Sequence, residues 1–484
     1  MYQISNARTA EIHFAKNVPF LIFLSRKFLG TSLFLVWLNS TCGGGHNSTM
    51  DPVSLLREYI RIDTSNPPGD CRGTAELLCR VLLGNGLTPI TFGAVPEKPN
   101  VLCHVGGTEE PGLVLIHHMD VVPAKAEEWS VPPFSAEVRD GYLYGRGTLD
   151  TKGLGVAHLC AAIDAARSGR LRRKLFFVAN ADEEVGGKEG AGYFVRNLPI
   201  SFGRAYGMNE GGVGVRDIFG EGAFFLVNLW EKGPLWLTLS AGGRAGHGSR
   251  PSSGDAPARL SRAMARIAEH RDPARLTDPV REMMRTLFDQ GLTNLDPDSL
   301  GGGPEDTARL EAFASSYPET DPLLRNTFAI TTLAAGFKPN VIPGKAEGTL
   351  DCRILPGEDP EAVAARVQEM VRDLDVRVEI IFSEEPNGSP RGPLFTALSD
   401  AIRSVHPDAV VLPYMSTGFT DSRFFRSIGV DTYGLMPVLL PRSEFGRIHG
   451  VDERIPLSGI GEMVQIISAL IARWNDQLPR EATP

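Results

Sequence analysis

Residues 113–123 read LVLIHHMDVVP. The opening apolar run suits a strand buried on both faces of a parallel sheet. It breaks into His117, His118 and Asp120, with Pro123 close behind. A strand that delivers a histidine and a carboxylate at its carboxyl end fits an open α/β sheet, where ligands collect outside those ends. Taken alone, the same letters fit two surface histidines in a loop. A second apolar run, KLFFVAN at 174–180, decides the matter by ending the same way, in ADEEVGG at 181–187.

Working outward, helices are expected over 51–62, 74–84 and 155–166, with strands over 100–105 and 140–144. Asp51 and Pro52 suit a helix start. Strands that alternate with helices and end in acidic loops predict an α/β fold built on a doubly wound sheet. The pattern changes near Gly233. LWLTLSA at 235–241 alternates as a half-buried strand, a glycine-rich loop follows, and 256–269 reads as a helix. The polar stretch 270–325 reads as an elaboration of the same unit, and 327–333 and 346–355 as further strands. The division is therefore a catalytic domain over 50–232 and 356–484, interrupted by an α+β lid or dimerisation domain over 233–355. Within the second catalytic part, helices are expected over 359–373 and 394–404 and a strand over 376–382.

The chain of 484 residues carries a net charge of −9. That argues against a general nucleic-acid binder, which needs a basic field. Residues 1–49 hold Arg8, Lys16, Arg26 and Lys27 against Glu11 alone. Arg26 and Lys27 followed by FLGTSLFLVWL and NSTCGGG resemble a signal segment, with Cys42 a possible lipid anchor. The competing reading is a start at Met50, because MDPVSLLREYI opens like the first helix of a cytoplasmic enzyme. Five scattered cysteines in the body, with no CxxC pair, favour a reducing compartment. The expectation is a cytoplasmic protein, exported or lipid-anchored if residues 1–49 act as a signal.

The chemistry-bearing pieces come in order: His118-x-Asp120, Asp150 in GRGTLDTKG, Glu183 and Glu184 in DEEVGG, Glu210 in NEGG, and His449 in HGVDERI. Two histidines with several carboxylates suit zinc or a similar divalent ion. Two close ions need a shared anionic bridge, which a carboxylate on a glycine-rich loop supplies. Adjacent glutamates beyond a strand end can divide metal binding from proton handling. His117 reads as a core neighbour, and His104, His158 and His406 as structural or exposed.

This ordered set, with AGHGSRP, FKPNVIPGKAEGTLDCRILPG and TGFTDSRFF, resembles the M20 family of metallopeptidases. That group contains carboxypeptidase G2, aminoacylase-1, acetylornithine deacetylase and succinyl-diaminopimelate desuccinylase. The resemblance spans about 51–474. It implies a two-zinc site (cobalt or manganese also fit) held by His118, Asp150, Glu184, Glu210 and His449. In that pattern Asp150 bridges, His118 and Glu210 complete one ion, and Glu184 and His449 the other. Asn209 competes with Glu210 for its place, but asparagine is a poor anionic ligand. Asp120 would orient a ligand imidazole. Glu183 would be the general base, acting on a metal-bridging water and passing the proton to the leaving amine.

The resemblance also implies that His247 reaches the active site of a dimer partner and steadies the oxyanion; its plain alternative is a loop histidine beside a turn. Asn340 and Arg353 match positions that hold the substrate's carboxylate or the oxyanion, with a structural ion pair the alternative for Arg353. Thr420, in TGFT, matches the loop lining the substrate pocket, with simple capping as its alternative. The implied activity is cleavage of an amide next to a free carboxylate, in a small peptide or an N-acyl amino acid, by a homodimer joined through the lid. A biosynthetic-type N-deacylase or an aminopeptidase shares the same zinc motifs. A non-catalytic binding paralogue would have lost Glu183 or a ligand, and none is missing.

Overall fold

The computed structural model describes residues 21–27, 30–36 and 51–476, apart from 253. The signal-like reading of 26–45, outside those two strands, and the start at Met50 lie outside the described residues.

The expected buried strand runs Glu109–His118. Arg173–Asn180 lies parallel on one side of it and Ala205–Arg216 parallel on the other. Asp431–Leu440 extends the parallel core beyond Ala205–Arg216. Pro99–Gly106 pairs antiparallel with Arg173–Asn180, so the sheet as a whole is mixed. Beyond it come Pro89–Gly93 and then the strands Leu21–Lys27 and Gly30–Val36. The opposite flank is built by Ala223–Glu231, with Val410–Ser416 parallel to it.

Strand alternation explains why both faces are covered. Leu113, Leu115, Leu175 and Phe177 point into a core shared with the helices Lys152–Arg167 and Leu457–Asp476. Val114, Ile116, Phe176 and Val178 point the other way, against Phe194, Phe202 and Phe425. An unbroken apolar run is what a strand needs when neither face meets water. The helix Lys152–Arg167 approaches this strand closely: a Cβ at Gly155 would lie 2.2 Å from the His117 ring. His117 is fully buried and bonds Tyr59 Oη through Nε2 at 3.1 Å.

The second sheet is antiparallel, in the order Thr327–Ala335, Lys345–Ile354, Gly233–Gly242, Arg377–Ser383. Its period-two pattern buries Leu235, Leu237, Leu239, Leu350 and Cys352 beneath the helices Ala256–Glu269 and Pro360–Met370. Two boundaries therefore differ from the 233–355 lid expected from sequence. The strand Arg377–Ser383 and the helix Pro360–Met370 belong to the small sheet, because Val363 and Val367 need its apolar face. The segment 270–326, expected as part of the lid, instead packs on the large core. The helix Asp278–Asp289 carries Val280, Met283, Met284 and Leu287 on one face, and that stripe docks into the catalytic core. Thr327–Ala335 is the outer edge, with Ile330 40% and Leu333 58% exposed.

Cys71, Cys79, Cys103, Cys160 and Cys352 are buried and free. Among the described residues no helix is long and apolar enough to cross a membrane.

Candidate metal centre

The parallel strands deliver three of the singled-out pieces to one rim. His118 closes Glu109–His118, Glu183 and Glu184 sit in the turn after Arg173–Asn180, and Glu210 lies within Ala205–Arg216. Glu210 is turned toward the rim by a local break in its strand. Gly211 has φ +125°, and the pairing with Asp431–Leu440 slips register there. Asp150 comes from the loop before the helix Lys152–Arg167, and His449 from the loop before Arg454–Pro456.

The five side chains form two overlapping clusters, His118–Asp150–Glu210 and Asp150–Glu184–His449, each with its ligand atoms within 4.8 Å of one another. Asp150 divides its oxygens between them: Oδ1 lies 2.9 Å from His118 Nε2, and Oδ2 lies 2.9 Å from His449 Nε2. Glu210 Oε1 stands 3.4 Å from His118 Nε2, and Glu184 Oε2 stands 3.4 Å from His449 Nε2.

The electrostatics of this group call for positive charge. Burial and the neighbouring Asp150 push the Glu210 carboxyl up to about 7. Burial and Glu210 hold Glu183 well above the usual range, while burial and Asp150 raise Glu184. Burial opposes charge on His118, yet the carboxylates of Glu210 and Asp150 hold its pKa well up. Hydrogen bonds to Asp150 and Glu184 lift His449 to about 10. Carboxylates crowded against one another and against imidazole nitrogens are the donor set that divalent cations satisfy. The residues present fit such ions.

Asp120 is fully buried, but its work differs from the expectation. Its backbone carbonyl, not its carboxylate, accepts from His118 Nδ1 at 2.9 Å, which leaves Nε2 free to act as a ligand. The carboxylate lies farther off, at 3.7 Å. It accepts instead from the backbone N–H groups of Glu183 and Glu184, both at 3.2 Å, and from Asn66 Nδ2 at 2.8 Å. Asp120 thus sets the glutamate turn.

The remaining singled-out residues make contacts of their own. His247 is exposed and pairs with Ser249 Oγ at 2.8 Å. Asn340 is its neighbour, its carbonyl accepting from Gly248 N. Arg353 holds Asp351 through two hydrogen bonds, at 2.7 and 2.9 Å, and stacks on Phe419. The Thr420 hydroxyl is buried and donates to Glu231 Oε1 at 2.7 Å, which ties its loop to the end of the strand that leads into the small sheet.

Two supporting groups were not singled out from sequence. Glu453 and Arg146 form a fully buried ion pair at 2.7 Å behind the Asp150 loop. Arg423 bridges three segments beside the glutamate turn. Glu453 stands within the quoted HGVDERI and Arg423 within TGFTDSRFF, so their positions were in view. Their partners, distant in sequence, were not.

A doubly wound sheet that brings histidines and carboxylates into two clusters sharing one aspartate defines a metallohydrolase. Residues 114–473 match peptidase family M20/M25/M40, and the chain belongs to that family as a hydrolase of amide bonds. It is 33% identical over 380 residues to the N-fatty-acyl-amino acid synthase/hydrolase PM20D1 of Xenopus tropicalis, covering 76% of this chain and 73% of that one. It is 26% identical over 444 residues to mouse aminoacylase-1, covering 87% and 97%. Human carnosine dipeptidase 1 shares the fold with a TM-score of 0.66 at 18% identity, covering 87% of this chain and 95% of that one.

Proposed function

We propose that this chain is a two-zinc amidohydrolase that cleaves an amide beside a free carboxylate, with N-acyl amino acids as its first substrate class and small peptides as its second. The observation that carries the reading is Asp150, whose two oxygens each face a different histidine. His118 and Glu210 would hold one ion, Glu184 and His449 the other. Bound there, the ions would supply Lewis acidity toward the scissile carbonyl and toward water. Glu183 acts as general base and then returns the proton to the leaving amine. The acyl-amino-acid preference draws support from the names of the PM20D1 and aminoacylase-1 relatives.

We further propose a homodimer joined through the exposed edge strand Thr327–Ala335, in which His247 and Asn340 serve the partner's site. Their exposure, and the absence of His247 from both clusters, support this reading.

The test is a hydrolysis panel of N-acyl amino acids, dipeptides and their C-terminally amidated forms, run on metal-depleted protein with Zn²⁺, Co²⁺ or Mn²⁺ restored. Turnover should require both metal and the free carboxylate. Glu183→Gln should lower kcat by about 10²–10⁴-fold while retaining both ions, since the base is not a ligand. Loss of bound metal in that variant would overturn the role, and turnover of amidated peptides with a free N-terminus would transfer the enzyme to the aminopeptidase class.

A further inference from the structure

The turn carrying Glu183 and Glu184 is half-buried, with Val185 49% exposed. Such a turn needs anchors on both sides to hold a base in register. Asp120 supplies one, and Lys98 braces Asp182 at the turn's start at 2.5 Å. The far end is fixed at Gly186, whose N–H closes the turn on the Glu183 carbonyl at 2.8 Å. The Gly186 carbonyl, in turn, accepts from Arg423 Nη2 at 2.7 Å.

Arg423 is only 7% exposed, and each nitrogen has its own direction. Nη1 donates to the Thr420 carbonyl at 2.7 Å, and Nε stands 2.7 Å from Glu384 Oε2. The guanidinium plane is held over Phe419 and Phe424. Glu384 belongs to the lid: it follows the strand Arg377–Ser383, and its N–H donates to the Pro234 carbonyl, where the chain first enters the small sheet. The first entry into the lid and the last exit from it therefore run side by side, and one acid from each reaches the same loop. Glu231 takes the Thr420 hydroxyl, and Glu384 takes Arg423.

We propose that Arg423 is a positioning residue that sets Glu183 in register with the lid, through Glu384 on one side and the Gly186 carbonyl on the other. This rests on the assignment of Glu183 as the base. The planar fork of arginine donates to two carbonyls in fixed directions while its charge pairs with Glu384; a lysine ammonium cannot reproduce that geometry. A shift of about 1 Å in a reacting group can cost about 10²-fold in rate, so a misplaced turn should appear in kcat.

The experiment compares full-length, metal-loaded Arg423→Ala, Arg423→Lys and Glu384→Gln proteins with the parent and with Glu183→Gln. Four quantities are read: kcat and KM separately, metal stoichiometry, hydrogen exchange of the 183–190 amides, and response to added guanidinium. Arg423→Ala should lose about 10–10²-fold in kcat with both ions retained and KM little changed. Its 183–190 amides should exchange faster, and guanidinium should restore part of the rate. Arg423→Lys should stay impaired. Glu384→Gln, which keeps the Gly186 contact but loses the lid's charge, should lose about 3–30-fold.

Unchanged kcat and unchanged exchange in both Arg423 variants would overturn the proposal. So would an effect confined to KM or to metal content. An active Glu183→Gln protein would refute the base assignment instead, whereas the exchange measurement tests the Arg423 anchor independently of that assignment. If Arg423→Ala fails to fold, Arg423→Lys and Glu384→Gln decide, and full activity in both refutes the anchor.

Discussion

Replacing Glu453 by alanine should weaken the fold and the metal site together. Its carboxylate is fully buried and sits 2.7 Å from Arg146 Nη1, itself 3% exposed. The same two oxygens accept the backbone N–H groups of Gly147, Leu149 and Asp150 at 2.7–3.1 Å. Arg146 also donates to the carbonyls of His449 and Gly450, at 3.2 and 3.1 Å. One ion pair therefore fixes the loops that carry Asp150 and His449. Truncating one partner of a buried pair costs about 3–5 kcal/mol, because the other charge is left without compensation. The freed N–H groups add to that cost, though not additively. Against a total stability of about 5–15 kcal/mol the loss is large.

Metal affinity should fall about 10–100-fold, the usual cost of removing a group that orients a ligand. Urea unfolding of EDTA-treated protein measures the first effect, and competition with a chromophoric chelator the second. Glu453→Gln keeps an acceptor for the Leu149 and Asp150 N–H groups, so it should fall between parent and alanine variant. The double variant Arg146→Met/Glu453→Leu should recover part of the stability but not the affinity, since no acceptor remains for the loop. A Glu453→Ala protein within about 1 kcal/mol of the parent, binding metal equally well, would refute this account.

Two further outcomes follow from other parts of the molecule. Lys232 is fully buried, with Nζ donating to the carbonyls of Pro322 and Arg325, and burial followed by the charge of Arg353 pulls its pKa from 10.5 down to about 7. Between about pH 7 and 10.5 the unfolded chain binds more protons at this lysine than the native one, so its contribution to stability rises with pH across that window. Urea midpoints of parent and Lys232→Met should change relative to each other in that sense, and parallel curves would contradict it. Leu333→Lys places a charge on the exposed edge strand, a device that blocks edge pairing. Light scattering should then report a monomer, with kcat lowered about 10²-fold and metal content unchanged; a fully active monomer would remove His247 from the reaction.

The sheet was legible because its central strands are buried on both faces, so that 113–116 and 175–179 read as unbroken apolar runs. The site pieces were legible because each follows such a run or a glycine-rich loop, where side chains have no packing task. What escaped was settled by packing at long range. The helix Asp278–Asp289 has a clear apolar face, but periodicity does not say which core receives it. The strand Arg377–Ser383 alternates as any half-buried strand does, and only its partner Gly233–Gly242 assigns it to the lid. The resemblance implied that Asp120 orients the imidazole, whereas its main chain makes that contact and its side chain turns to the next loop. Arg423 and Glu453 act through backbone carbonyls and N–H groups, which leave no mark on the residue types that use them.

The division of Asp150 between two histidines also bears on how this enzyme can vary. On the proposed ligand assignment, a change at His118 or Glu210 spares the cluster of Glu184 and His449, and the reverse holds as well. Natural variants at those four positions can accumulate as partial, graded losses and be repaired one step at a time. Position 150 offers no such intermediate: a single substitution there strikes both halves, so the lineage must keep that aspartate or give up the chemistry in one step.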